Sequence, residues 1–478
     1  MIKHSNCYSN TRIPVSVAYF SENMRFSMSK NKTSYWTITV AIAGFLFGFD
    51  TVVISGANQP IKEIWDTVSI SPLFHGLFIM SMALWGTVIG ALFGGIPTDK
   101  YGRKKTLLWI GILYALSALG SAIAWDPYSF SFFRFLGGLG VGASTVAVPV
   151  YLSEVSSPEN RGSVVARYQF MIVFGIFIAF FSNYLLKGVG GATDWRIMLG
   201  VEAIPAIIYT LMVMGVPKSP RWLFLYDNDE KSARSVMVQL GVSDIDSEIN
   251  AMKDSMKSST SSSNGLFSGK YSLPITLAFL IAFFNQLSGI NFVLYYAPEI
   301  LEKAGLAGKE SLGSSISIGA VNLVFTMLGM YLIDKLGRKS LMLYGSIGYI
   351  VSLCMVAYAF YSGAGSLFLL FFICMFIASH AIGQGAVIWV FLSEIFPTKV
   401  RALGQSFGSG THWVFAAIIT LITPFFLDSD RGIFKDNPWP IFAFFAGFMV
   451  LQLLFVVFMM PETKGKSLEE LEIQFTKK

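Results

Sequence analysis

Twelve stretches of this chain are apolar over a length that can cross a bilayer, and that pattern limits the fold more than any other feature. They fall at about 36–58, 73–97, 106–125, 129–152, 165–187 and 196–216, then at about 273–300, 312–333, 340–362, 367–392, 403–426 and 438–460. One helical span needs about 20 apolar residues. Hydrophobic residues make up 54% of the chain and charged residues 13%, against roughly 25% charge in soluble domains. In water such a surface would carry large apolar patches, so lipid is the solvent. The expected fold is an all-α membrane protein of twelve transmembrane helices.

The net charge of +6 does not point to nucleic acid, because the basic residues gather between the apolar stretches, as a topology signal does. Cys7, Cys354 and Cys374 have neither metal nor redox spacing, and the last two sit inside apolar runs. No metal site and no disulfide framework is expected.

The one long polar insertion, 217–272, includes the low-complexity run Ser258–Gly265. It divides the chain into a tail at 1–34, a six-helix bundle at 35–216, a linker at 217–272, a second six-helix bundle at 273–460 and a tail at 461–478. The mixed charge and helical spacing of Asp229–Gln239 make short surface helices the expectation within the linker. The first tail reads as disordered and lacks the apolar core and cleavage site of a signal peptide. Met24 and Met28 are alternative starts. The loops after spans 2, 4, 8 and 10 carry eleven basic residues: Lys100, Arg103, Lys104, Lys105, Arg161, Arg167, Lys335, Arg338, Lys339, Lys399 and Arg401. The opposite loops carry seven: Lys62, Lys187, Arg196, Lys303, Lys309, Arg431 and Lys435. The basic face, with both termini, is therefore expected in the cytoplasm.

An internal repeat supports the division. Asp99, Gly102, Arg103 and Lys104 recur as Asp334, Gly337, Arg338 and Lys339, 235 residues later. Ser153, Glu154 and Arg161 recur as Ser393, Glu394 and Arg401, 240 residues later. Two motifs repeated in one order at nearly one period describe parallel six-helix repeats, a transporter design with its substrate site between the repeats near mid-membrane.

The segment Gly95–Lys105, together with Arg134, the pairs Glu154…Arg161 and Glu394…Arg401, Pro217–Trp222 and Pro461–Glu470, resembles the sugar porter family of the major facilitator superfamily, from about residue 36 to 470. Within it the chain looks most similar to bacterial sugar–proton symporters. Lys218 stands where Glu is usual, and Met330 where a Gly is expected four residues before Asp334. The resemblance implies a cytoplasmic gate of Asp99, Arg103, Glu154, Arg161, Asp334, Arg338, Glu394 and Arg401. Exposed ion pairs contribute only about 0–1 kcal/mol each, which suits a latch that must open repeatedly. The alternative is that these charges only set topology, although topology requires no acid.

Asp50 and Arg134 are charges inside apolar stretches, where they cost a few kcal/mol unless paired or wet and by default mark function. Counted at 1.5 Å per residue, both lie roughly 9–12 Å below the same surface, so they can meet. The competing reading is a purely structural ion pair. By resemblance, an Asp here is typical of proton-coupled members, whereas passive glucose transporters carry a neutral residue. Sugar hydroxyls both donate and accept, as Asn and Gln do, and aromatic rings cover sugar faces. The resemblance implies a site of Phe47, Gln169, Asn285, Gln286, Asn291, Tyr295, Asn322, Trp389, His412 and Trp413. A lone Asn in a membrane helix otherwise commonly ties helices together. Asn285 stands where a second Gln is usual, His412 where Gln or Asn is usual, and Ala386 where Pro is common, a change expected to stiffen span 10. His75 and His380 match no role in the family and read as satisfied interior histidines.

The resulting expectation is a monomeric, multi-pass plasma-membrane (bacterial inner-membrane) importer of a pentose or hexose. It would be driven by the proton gradient and need no cofactor. A passive facilitator of the same fold is the near alternative, and a non-transporting sugar sensor the more distant one. No nucleophile, metal or acid–base cluster of recognisable spacing suggests an enzyme.

Overall fold

A computed structural model describes the backbone of residues 15–157, 160–242, 244–259, 266–267, 269–397, 400–466 and 470–471, and the side chains of the same residues except 15–31, 161 and 255–259. Among these residues every regular element is a helix. Twelve are long and apolar enough to cross a membrane: Lys32–Trp65, Pro72–Phe93, Arg103–Ile123, Pro127–Glu154, Gly162–Leu186, Gly191–Met214, Ser272–Lys303, Lys309–Leu336, Arg338–Ser362, Ser366–Glu394, Arg401–Leu427 and Trp439–Phe458. They are called spans 1 to 12 below. The first helix begins at Val15, inside the segment expected to be a disordered tail. No Pro or Gly interrupts 15–34, and extending a formed span requires no new nucleus. Residues 1–14 lie outside the described residues. Between spans 6 and 7 run three shorter helices, Pro220–Leu225, Glu230–Leu240 and Ile245–Ser259.

Small residues let the spans approach closely. Span 2 meets span 4 through Gly86 and Gly90 on one side and Gly138 and Gly142 on the other. A Cβ on Gly138 would stand 1.9 Å from the Ala83 carbonyl oxygen. This is membrane packing by small residues four apart. Within the second half, spans 9 and 12 and spans 7 and 11 pair. The halves touch along spans 1 and 7, 2 and 11, and 5 and 8. Spans 3, 6, 9 and 12 expose apolar side chains such as Trp109, Ile204, Tyr344 and Leu454, the surface a bilayer would wet.

Four spans are interrupted, span 6 by a turn at Val201 and Glu202. Span 7 breaks after Leu287 at Ser288 and Gly289, where φ is +86° and Gly is the residue that adopts it without strain. The Ser288 hydroxyl donates to the Asn285 carbonyl at 2.6 Å, satisfying a backbone group freed by the break. Spans 2 and 10 each hold a π turn, at Gly76–Ser81 and Ala381–Gly385. The span 10 turn directly precedes Ala386, so the helix is interrupted there by wider backbone winding rather than by a proline.

Candidate functional site

Two polar centres lie at the depth of these breaks. In the N-terminal half, Asp50 on span 1 and Arg134 on span 4 are each 2% exposed and form an ion pair. A second guanidinium nitrogen donates to the Asp50 backbone carbonyl at 3.1 Å. Glu202, on span 6, faces the same pair. It is 2% exposed, and its Oε1 has no hydrogen-bond partner. Two carboxyl groups thus lie close to one guanidinium, Asp50 in an ion pair with it. Glu202 was missed in the sequence, although a lone acid inside span 6 was the available signal. Tyr295 of span 7 faces this centre from the other half and is 1% exposed.

The second centre is uncharged. The Gln286 amide donates to Asn285 Oδ1 at 3.0 Å and to His412 Nε2 at 3.1 Å, while Asn291 donates to Gln286 Oε1 at 2.9 Å. The His412 ring nitrogen that meets this amide accepts from it, since an amide nitrogen only donates. Its ring lies 5.1 Å from Trp389 and 4.8 Å from Trp413, and Trp413 meets Phe47 of the first half at 5.7 Å. The buried Trp413 indole N–H has no acceptor. Gln169 is half-buried and Asn322 receives a hydrogen bond from Thr326 at 3.4 Å; both stand outside the bonded cluster.

The two sides of this centre differ in exposure. On the face opposite the basic loops, called the far face, every residue from Ile290 to Leu301 of span 7 is buried. Toward the basic face, Trp389 is 37% exposed, five residues before span 10 ends at Glu394.

At the basic face the repeated motif folds into the same turn twice. Gly102 and Gly337 take φ of +90° and +88°, and the following arginine reaches back. Arg103 makes paired bonds of 2.9 and 3.0 Å to Glu154 and one of 3.0 Å to Asp99. Arg338 bonds Glu394 at 2.8 Å and Asp334 at 3.4 Å. Among the described residues, the bonds of each cluster stay within its own half. Glu154 engages Arg103; the side chain of Arg161 lies outside the described residues. Arg401 Nε donates to the Phe396 carbonyl at 3.2 Å. His380 shares a 2.5 Å hydrogen bond with the Tyr349 hydroxyl. His75 is bonded through both ring nitrogens, at 2.6 and 2.7 Å.

The family described as "Sugar (and other) transporter" matches residues 36–475. The chain belongs to it. Among similar sugar porters, the D-xylose-proton symporter of Escherichia coli K12 is 30% identical over 91% of this chain and 94% of its own length. The glucose transporter GlcP of Staphylococcus epidermidis is 34% identical over 91% and 95%. The structure of the xylose transporter XylE from E. coli in a partially occluded inward-open conformation superposes with a TM-score of 0.79 at 28% identity, covering 91% of this chain and all of that one. The inward-open form of the same protein gives 0.78 at 30%, over 92% and 98%. This sugar porter is accordingly a multi-pass plasma-membrane transporter of the major facilitator superfamily and not an enzyme.

Proposed function

We propose that this sugar porter is a proton-coupled monosaccharide symporter that imports a pentose or hexose by alternating access. The observation that carries the reading is the buried centre of Asp50, Arg134 and Glu202, which holds two acids against one base. A proton arriving from outside neutralises Asp50 and loosens its hold on Arg134, letting the first half move relative to the second. The basic face is assigned to the cytoplasm because eleven basic residues lie in its loops against seven opposite. The sugar sits against Asn285, Gln286, Asn291 and His412, where amides and a neutral imidazole match hydroxyls that both donate and accept. Phe47, Trp389 and Trp413 cover its faces, Tyr295 links it to the charged centre, and Gln169 and Asn322 reach it from spans 5 and 8. The basic-face clusters act as gate elements when that face shuts. The protein works as a monomer, with the proton gradient in place of a cofactor. That the relatives include proton symporters for D-xylose and arabinose supports this reading.

The test is Asp50→Asn in proteoliposomes. The amide mimics permanent protonation, so uphill sugar accumulation should vanish while exchange between equal sugar pools persists. Full gradient-driven accumulation would instead make the protein a passive facilitator.

A further inference from the structure

The interior of the N-terminal half, where spans 3 and 6 pack against each other and against spans 1 and 4, holds six buried polar atoms with no hydrogen-bond partner in the protein. On span 3 these are the hydroxyls of Tyr114, Ser117 and Ser121; on span 6 they are Trp195 Nε1, Glu202 Oε1 and the Tyr209 hydroxyl. None of the six residues is more than 2% exposed. Their spacing is helical: 114, 117 and 121 fall on one side of span 3, and 195, 202 and 209 recur every seven residues along span 6. The two helices run close together, since a Cβ on Gly111 would stand 2.9 Å from Tyr209 Cδ1 and one on Gly200 3.1 Å from Ala122 Cβ. It is at Glu202 that span 6 loses its regular winding. Inside a membrane, irregular backbone is tolerated where it is buried in protein or lines water.

Buried polar groups in folded proteins are as a rule bonded to protein or to ordered water, and one buried water serves about three of them. These six converge on the charged centre. Tyr114 faces Tyr168, Asp50 and Glu202, while Arg134, Glu202 and Tyr295 face Asp50 from spans 4, 6 and 7. A Cβ on Gly137 would stand 2.4 Å from Ser117 Oγ and 3.6 Å from Asp50 Oδ1. Those two oxygens are therefore at most about 6.0 Å apart, close enough for one water to bond both. Ser121 lies one helical turn nearer the far face, two residues before span 3 ends at Ile123. In the other direction the buried side chains below Tyr114 and Tyr209 are the apolar Ile110, Leu107 and Val213. We propose that this interior holds a file of waters that carries protons from the far face, past Ser121 and Ser117, to the carboxyl groups of Asp50 and Glu202, apart from the sugar's path between the halves. A hydronium at the far mouth gives up one proton, and each water or serine hydroxyl in the file gains one and passes one on. The last proton lands on a carboxylate oxygen, so the only net change is one proton moved. The Trp195 indole can only donate, and it orients a water rather than relaying. The inference deepens the symport reading and rests on it.

X-ray footprinting of the full chain in lipid nanodiscs tests the waters first, because radicals formed from buried water oxidise the side chains beside it. Tyr114 and Tyr209 should be oxidised several-fold faster than Tyr296, which is as deeply buried but bonded to the Thr420 carbonyl at 2.9 Å. Equal rates overturn the inference. Proton uptake by proteoliposomes under a sugar gradient, read with a pH dye, tests the route. Ser121→Val, one turn beyond the serine that neighbours Asp50, should slow initial proton uptake about tenfold or more and leave sugar exchange between equal pools unchanged. Ser117→Val should do the same. Thr87→Val removes a buried hydroxyl of span 2 that is bonded to the Ala83 carbonyl at 2.9 Å, and it should leave both readouts unchanged. Undiminished proton uptake in Ser121→Val overturns the inference while the symport reading stands, and so does an equal loss in Thr87→Val. Sugar uptake by the parent with no proton movement overturns the symport reading itself, and the inference falls with it. Should Ser121→Val fail to assemble, the footprint of the parent decides.

Discussion

The two halves of this transporter repeat one architecture and fill its centre with opposite chemistry. At mid-membrane the N-terminal half holds Asp50, Arg134 and Glu202, all buried and all ionisable. At the corresponding depth the C-terminal half holds Asn285, Gln286, Asn291 and His412, bonded to one another. Amides tolerate exchange of a neutral polar ligand, because each can donate and accept with little change in charge. A buried acid–base cluster responds instead to a proton, since gaining one removes a charge from a medium that solvates charge poorly. On the proposed reading, separation of the two centres would let sugar and proton act through different helices, and the halves meet along spans 1 and 7.

The repeated turns at the basic face differ in the same spirit. In the first half the Trp222 indole packs over Gly102 and donates to the Asp99 carbonyl at 2.7 Å. In the second, the Glu462 carboxylate accepts from the backbone N–H groups of Arg338 and Lys339, both at 3.0 Å, and Thr463 donates to Glu394 at 2.6 Å. One turn is closed by a neutral ring and the other by a charge.

Each contrast can be broken experimentally. The largest effect is expected at the amide centre: Gln286→Ala should weaken sugar binding by about 1–3 kcal/mol, the cost of leaving buried polar partners unmatched. Calorimetry on purified protein measures it, and unchanged affinity would move the site away from span 7. His412→Gln keeps the uncharged character of that centre, so transport should persist with an altered sugar preference and little change in pH profile. Uptake measured from about pH 5.5 to 8 covers the ordinary titration of a histidine. If the substitution removes a step near pH 6–7, His412 belongs with the charged centre and the contrast fails.

The smallest effect is expected at the two turns. Burial pushes the Glu462 carboxyl upward, but backbone N–H groups of Lys464, Arg338, Lys339 and Thr463 outweigh it and hold the acid below its ordinary value. A depressed acid stabilises the fold fully above its free value of about 4.3 and loses that contribution as pH falls through the lower folded value. Thermal stability should therefore decline below about pH 4 more steeply in the parent than in Glu462→Gln. Trp222→Phe should lower stability without changing that slope. Equal acid slopes in parent and Glu462→Gln would remove the distinction between the turns.

Much of the fold was legible because the bilayer leaves so few alternatives. Twelve apolar runs became twelve helices, and the repeated Asp–Gly–Arg motifs became matching turns because positive φ at Gly102 and Gly337 is a local demand. Asp50 and Arg134 could be paired from depth alone, since rise per residue is constant along a helix. Glu202 and the bridging charges of the far face were harder. Lys62, Glu299 and Asp428 sit near span ends, where single charges are ordinary, and nothing local distinguishes a solvated lysine from one shared by two acids.

The chain by itself thus determined the solvent, the number of spans and the duplication. These follow from hydrophobic length, charge and short-range geometry. Only the tertiary structure decided which charges bridge the halves and which stay within one. That choice depends on contacts between residues as far apart as Lys62 and Asp428, brought together by helix packing that no local pattern encodes.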